Sequence, residues 1–212
     1  MREINILYLH GLGSCGKSHT YSVLKDLFES MTLLNAHVYS IDIPTNPKEA
    51  IKKINKFVKL KNINIVVGTS LGGFYTMLVD GVAKIAINPA MHPSELLPTL
   101  VEIGKPIEYF GEREDGATTY TLTKVDIEDF RSTEHEFYTN TLDEEYTYET
   151  YGVFGADDDV VNDIDEFLSL YRKYRVTRVN GLGHRLTEDC IKREIKNVIL
   201  DAIDNMSKEF VV

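Results

Sequence analysis

The sequence predicts an α/β protein in which a mostly parallel sheet carries helices on both faces. Three observations lead there. Short β-branched runs alternate with amphipathic stretches of helical period, and the connections between them are brief. At 212 residues the chain is long enough to bury a full core. Parallel neighbours need a crossover between them, so strict alternation of strand and helix itself implies parallel order.

The elements follow in order. Asn5–Leu9 reads as a buried strand ending at His10-Gly11, and a helix runs from about Ser18 to Met31 with Tyr21, Leu24, Leu27, Phe28 and Met31 at helical spacing. Ala36–Ile41 is the second strand. Pro47 stands where helices begin, ahead of an apolar stripe of Ile51, Ile54, Phe57 and Val58. Ile63–Val67, the third strand, runs straight into Gly68-Thr69-Ser70-Leu71-Gly72. A short apolar helix from Phe74 to Val79 and a strand Lys84–Asn88 come next. From 92 to about 147 the regularity fades. This stretch is acidic and rich in Tyr and Phe, and it reads as an insertion or lid on a single domain spanning 1–212. Order returns with strand Tyr148–Phe154, a helix on Ile164, Phe167, Leu168 and Tyr171, strand Arg175–Val179 and a closing helix from Thr187 to about Asn205.

Charge and composition narrow the function. A net charge of -10 disfavours nucleic acid, whose phosphates demand clustered Lys and Arg. Between His92 and Thr150 there are 15 Asp/Glu against 4 Lys/Arg, so one segment holds essentially all of the excess. It reads as a solvated acidic surface; framing a pocket, it would repel anionic esters. No apolar run approaches the roughly 20 residues of a membrane-crossing helix. The N-terminus lacks the basic start and apolar stretch of a signal peptide, so a cytoplasmic location is expected. Cys15 and Cys190 make no disulfide framework and no Cys/His cluster has zinc spacing; both read as reduced thiols, with no metal or cofactor expected.

Two motifs compete for the chemistry. Gly68-Thr69-Ser70-Leu71-Gly72 is a G-x-S-x-G between a strand and a helix. A nucleophilic serine on such a turn adopts strained backbone angles, and the flanking glycines leave room for the reversal. Gly11-Leu12-Gly13-Ser14-Cys15-Gly16-Lys17-Ser18 formally matches a phosphate-binding loop, which would make Lys17 and residues 11–18 a nucleotide site. Counting alone favours the second, since the first arises by chance in roughly one chain in twenty and the second in about one in a hundred.

Context reverses that order. A phosphate loop needs an acid at a strand end to hold Mg²⁺, and only Asp42 is tolerable. The serine reading needs an acid after a later strand, a histidine after the next, and a second oxyanion donor near an early strand. Asp157-Asp158-Asp159, His184 and the Leu12 N–H after His10-Gly11 supply these in the chain order Ser, Asp, His. The fold is therefore expected to be the three-layer α/β-hydrolase fold. Ser70 would be nucleophile, His184 base and Asp158 its orienting acid, on the register Gly155-x-x-Asp158-x-x-Val161. Asp157 is the first alternative to Asp158, and Asp159 the less favoured one. Leu71 and Leu12 amides would form the oxyanion hole, with His10 positioning its loop.

The chain also resembles the YqiA-like group of small bacterial esterases. The resemblance rests on Leu7-Tyr8-Leu9-His10-Gly11, on Val67 through Tyr75, and on Ile87-Asn88-Pro89-Ala90 followed by Pro93 and Glu95-Leu96-Leu97. It covers nearly the whole chain and thins between about Lys105 and Tyr148. It implies esterase chemistry and implies that the phosphate-loop match is coincidental. The expected partner is thus a small-molecule acyl ester or thioester, with no nucleic acid and no membrane. A nucleotide-binding protein and a non-catalytic module on a hydrolase scaffold are the alternatives.

Overall fold

In the computed structural model residues 3–143, 150–171 and 175–208 are described. Strands β1 (Glu3–Leu9), β2 (Asn35–Ser40), β3 (Ile65–Thr69), β4 (Ala83–Ile87), β7 (Thr150–Gly155) and β8 (Val176–Val179) form one sheet in the order β2-β1-β3-β4-β7-β8. Every neighbouring pair is parallel. The chain first steps outward from β1 to β2, then crosses back to β3 on the other side of β1. The carboxyl ends of β1 and β3 are therefore a topological switch point, where open α/β sheets hold their ligands.

Alternation along the strands builds two cores. Ile4, Ile6 and Tyr8 of β1, with Ile65, Val67, Ile85, Ile87 and Val153, face one side. There they meet Val23, Leu24 and Phe28 of α1 (His19–Glu29), and also Ile191, Ile195, Val198 and Ile199 of the closing helix. Leu7, Leu9, Val66, Ala86 and Phe154 face the other side. Their partners are Ala50, Ile54 and Val58 of α2 (Pro47–Leu60), Phe74 and Tyr75 of α3 (Leu71–Met77), and Phe167 of α6 (Ile164–Leu170). A sheet buried on both faces is what makes the strands read as continuous apolar runs.

Local chemistry sets the element ends. Asn46 caps α2, its side chain accepting from the Lys48 and Glu49 N–H groups, and Pro47 opens the helix as expected. The helix closes through Asn62 at φ 48°, with the Ile63 N–H donating to the Val58 carbonyl. That bond takes Ile63 for the helix end, which is why β3 starts at Ile65 and not at Ile63. Helix α3 begins at Leu71, three residues before the expected start, because the chain turns directly out of Ser70.

The stretch after β4 is more ordered than its pattern suggests. It holds α4 (Pro93–Leu100), an antiparallel hairpin of β5 (Pro106–Glu108) with β6 (Thr119–Thr121), and α5 (Lys124–Asp143). Helix α5 uses carboxylates as anchors. Buried Glu134 accepts from the Ser94 N–H and hydroxyl, Asp126 accepts from Thr123 and Asn46, and Asp129 pairs with Lys48. Phe130 and Phe137 supply its apolar contacts. Tyr146 and Tyr148, and with them the expected first residue of β7, lie outside the described residues. The closing helix runs through α7 (Glu188–Cys190), a π-helical stretch (Ile191–Ile195) and α8 (Lys196–Lys208), capped by the Thr187 hydroxyl. No helix among the described residues is long and apolar enough to cross a membrane.

Candidate active site

Ser70 joins β3 to α3 at φ 55° and ψ -120°, a region that side chains other than glycine rarely enter. The turn is held on both sides: the Ser70 N–H donates to the Ile87 carbonyl, and its carbonyl accepts from Phe74 and Ala90. Its two flanking glycines are required by close approach. A Cβ on Gly68 would stand 2.1 Å from the Gly72 carbonyl oxygen, and one on Gly72 would stand 2.2 Å from that of Leu9. The turn thus packs against β1 at backbone contact and aims the serine hydroxyl over the sheet edge.

His184 reaches that hydroxyl from the loop after β8. Its Nε2 lies 3.1 Å from Ser70 Oγ, and its Nδ1 lies 2.9 Å from Asp158 Oδ2 and 3.2 Å from Oδ1. The Asp158 side chain is only 2% exposed, and its Oδ1 also accepts from the Val160 and Val161 N–H groups at 2.8 and 2.9 Å. Two backbone hydrogen bonds thus fix the carboxylate before it orients the ring. Asp157 and Asp159 are exposed. Of the three adjacent aspartates, Asp158 is the one that the fold brings to His184. A serine hydroxyl donating to an imidazole whose other nitrogen is held by a buried carboxylate is the arrangement that activates a nucleophile.

The loop after β1 closes the other side. A Cβ on Gly11 would lie 3.3 Å from Ser70 Cβ and 3.8 Å from its Oγ. His10 is buried and pins this loop: its Nε2 accepts from the Ile43 N–H at 3.1 Å, so the ring proton sits on Nδ1 and is donated to the Gly11 carbonyl at 2.8 Å. Burial lowers its pKa to about 4, so it stays neutral. Leu12 and Leu71 line a pocket beside Ser70 with His10, Ile43, Pro44, Thr45, Tyr75, Tyr109 and Tyr120. None of the lining residues is acidic, so the excess negative charge of the middle segment does not frame this cavity.

The phosphate-loop match is spent internally. The Gly16 N–H donates to Asp42 Oδ1 at 2.7 Å, while Asp42 Oδ2 accepts from the Glu114 N–H at 2.6 Å. Asp42 is therefore a buried structural acid and takes an amide that a phosphate loop keeps for its anion. Lys17 is exposed, and Ser18 caps α1 instead of sitting in its first turn. Cys15 and Cys190 are buried free thiols, and burial pushes Cys190 up to about 11. Among the described residues no group of three His, Cys, Asp or Glu side chains is placed to hold a metal ion.

One residue that the motif reading left without a role ties the site together. Asn88, just past β4 at φ 42°, accepts from the Gly155 N–H at 2.7 Å and donates to the Gly183 carbonyl at 3.1 Å. It clamps the loop carrying Asp158 to the loop carrying His184. The signal in the sequence was Asn followed by Pro at a strand end, where only a residue tolerant of positive φ fits.

The model of the uncharacterised protein family UPF0227, the YqiA-like family, matches residues 5–200. The chain belongs to this family. None of the curated proteins matches it in sequence. Among solved structures it is similar to Est1E from Butyrivibrio proteoclasticus, at 15% identity and a TM-score of 0.67, over 95% of this chain and 88% of that one. The monoacylglycerol lipase of Paleococcus ferrophilus matches at 15% identity and a TM-score of 0.65, covering 93% and 92%. Mouse alpha/beta hydrolase domain-containing protein 10 matches at 14% and 0.59, covering 97% and 90%. The family member thus has the α/β-hydrolase fold.

Proposed function

We propose that the protein is a serine hydrolase that cleaves small acyl esters or thioesters through an acyl-enzyme at Ser70. The observation that carries this reading is the unbroken hydrogen-bonded chain from Ser70 through His184 to Asp158, set on a strained turn at the switch point of the sheet. His184 accepts the Ser70 proton as Oγ attacks the acyl carbonyl, and Asp158 stabilises the imidazolium that forms. The Leu71 and Leu12 N–H groups take the developing oxyanion. His184 then protonates the leaving alcohol or thiol, and water repeats the sequence to release the acid. Structural neighbours among esterases and lipases are in keeping with this chemistry.

The test is labelling of purified protein by a fluorophosphonate probe, with Ser70→Ala and Lys17→Ala in parallel. Stoichiometric labelling lost in Ser70→Ala and kept in Lys17→Ala is the expected result. A folded wild type that takes no label would refute the reading and favour a non-catalytic module on this scaffold.

A further inference from the structure

The rim of the Ser70 pocket carries a cation that the chain leaves without a carboxylate. Arg185 is exposed and follows His184 directly on the loop after β8. Its guanidinium stands over the ring of Phe110, with Cζ 5.8 Å from the ring centre. Phe110, between β5 and β6, is fixed against the loop after β1. Its N–H donates to the Gly13 carbonyl at 2.7 Å, and its Cε2 stands 3.0 Å from where a Cβ on Gly13 would lie. Gly13 lines the pocket, two residues beyond the Gly11 that faces Ser70. Ring and guanidinium thus join the histidine loop to the opposite wall of the site. The acids along the same stretches are engaged elsewhere or out of reach. Glu188 and Asp189 pair with Lys192 and Arg193. Neither Glu112 nor Glu114 pairs with Arg185, which makes no ion pair among the described residues. Stacking on an exposed ring leaves the edge of the guanidinium, with its N–H donors, open to a ligand.

We infer that Phe110 and Arg185 form the leaving-group subsite and that it takes an aromatic ring bearing a carboxylate, which makes the substrate an acyl ester of a hydroxyaryl carboxylate. The inference rests on the serine-hydrolase reading and names a substrate class for it. His184 must reach the leaving oxygen to protonate it, so that part of the ester departs on the histidine side, past the residue that follows His184. The Phe110 ring is 77% exposed and gives an aryl group a surface to lie against. Beside it the planar fork of Arg185 matches the two oxygens of a carboxylate. The pocket itself is lined by no lysine, arginine or carboxylate, so it suits an uncharged acyl group while the charge is read at the rim. This local preference is the opposite of what the net charge of -10 would impose on an anionic ester.

The experiment compares 3- and 4-acetoxybenzoate with the matching uncharged 3- and 4-acetoxybenzamides at low salt, corrected for spontaneous hydrolysis, on wild type and Arg185→Gln. In wild type kcat/KM for one of the acids is expected to exceed that for its amide about fivefold, the equivalent of about 1 kcal/mol. In Arg185→Gln that ratio falls to within about twofold of one, while unchanged thermal melting shows the variant folded. A wild type with no preference for either acid, or a preference that survives Arg185→Gln, overturns the subsite. Fluorophosphonate labelling of the same wild-type sample separates the two claims. Labelling without a preference for the acids overturns the subsite alone, whereas absent labelling overturns the hydrolase reading and the subsite with it.

Discussion

Replacing Asn88 by alanine removes the clamp between the Asp158 and His184 loops, and its cost follows from the geometry. Two short hydrogen bonds disappear, one from the Gly155 N–H at 2.7 Å and one to the Gly183 carbonyl at 3.1 Å, along with a longer contact to the His184 carbonyl at 3.5 Å, and the partners of the two short bonds are left in a partly buried place. Each such loss costs about 1–2 kcal/mol. Alanine must also hold φ 42°, at about 1 kcal/mol more. The sum, about 3–5 kcal/mol, is a large share of the 5–15 kcal/mol typical of a domain. With a urea m-value of about 2 kcal/mol/M the unfolding midpoint should fall by about 1.5–2.5 M. Asn88→Gly loses the same bonds without the backbone strain, so it should be less damaging by about 1 kcal/mol. A midpoint change below about 0.5 M in Asn88→Ala, or a glycine variant no better than alanine, would refute the reasoning.

Other expectations rest on single features. Asp158→Asn should lower the rate of fluorophosphonate labelling by about 10³–10⁴-fold, and Asp157→Asn and Asp159→Asn by no more than about twofold; equal losses across the three would show that His184 is not held as described. Gly72→Ala places a methyl 2.2 Å from the Leu9 carbonyl oxygen and should yield no folded protein, whereas Gly81→Ala, at φ 76° with nothing within 4 Å, should cost only about 1 kcal/mol. The low pKa of His10 makes a pH prediction. Between its folded value of about 4 and the unfolded 6.5, the unfolded chain binds more protons, so stability drops as pH falls through that window. Urea unfolding at pH 7 and pH 4.5 should show wild type losing about 2–3 kcal/mol from this group, and His10→Gln losing that much less.

Much of the architecture was legible because the sheet is buried on both faces. Strands such as β1 and β3 then appear as unbroken apolar runs, and the alternation with α1 and α2 fixes their parallel order. The site was legible where backbone demands leave a residue signature, as with Gly68 and Gly72 around Ser70. It was less so where geometry decides among equivalent residues. The register Gly155-x-x-Asp158-x-x-Val161 favours Asp158 but leaves Asp157 and Asp159 as alternatives; what separates the three is contact with His184, 26 residues away. Helix α5 escaped notice for a different reason. It anchors itself by burying Asp126 and Glu134 against Thr123, Asn46 and Ser94, so its inner face carries carboxylates where a periodicity reading looks for leucines. Asn88 was visible as a residue but not as a clamp, because both of its partners lie more than 60 residues further on.

The path from β4 to β7 carries a broader consequence. These strands are direct neighbours, with Ile87 opposite Val153, so the described residues between them, 88–143, are a detour outside the six-stranded sheet. That detour supplies Tyr109 and Tyr120 to the pocket wall but no member of the chain from Ser70 to Asp158. On the proposed hydrolase reading, substitutions in this detour reshape part of the cavity wall and leave Ser70, His184 and Asp158 in place. Part of the pocket wall and the whole of the hydrogen-bonded chain thus come from separate stretches of the sequence.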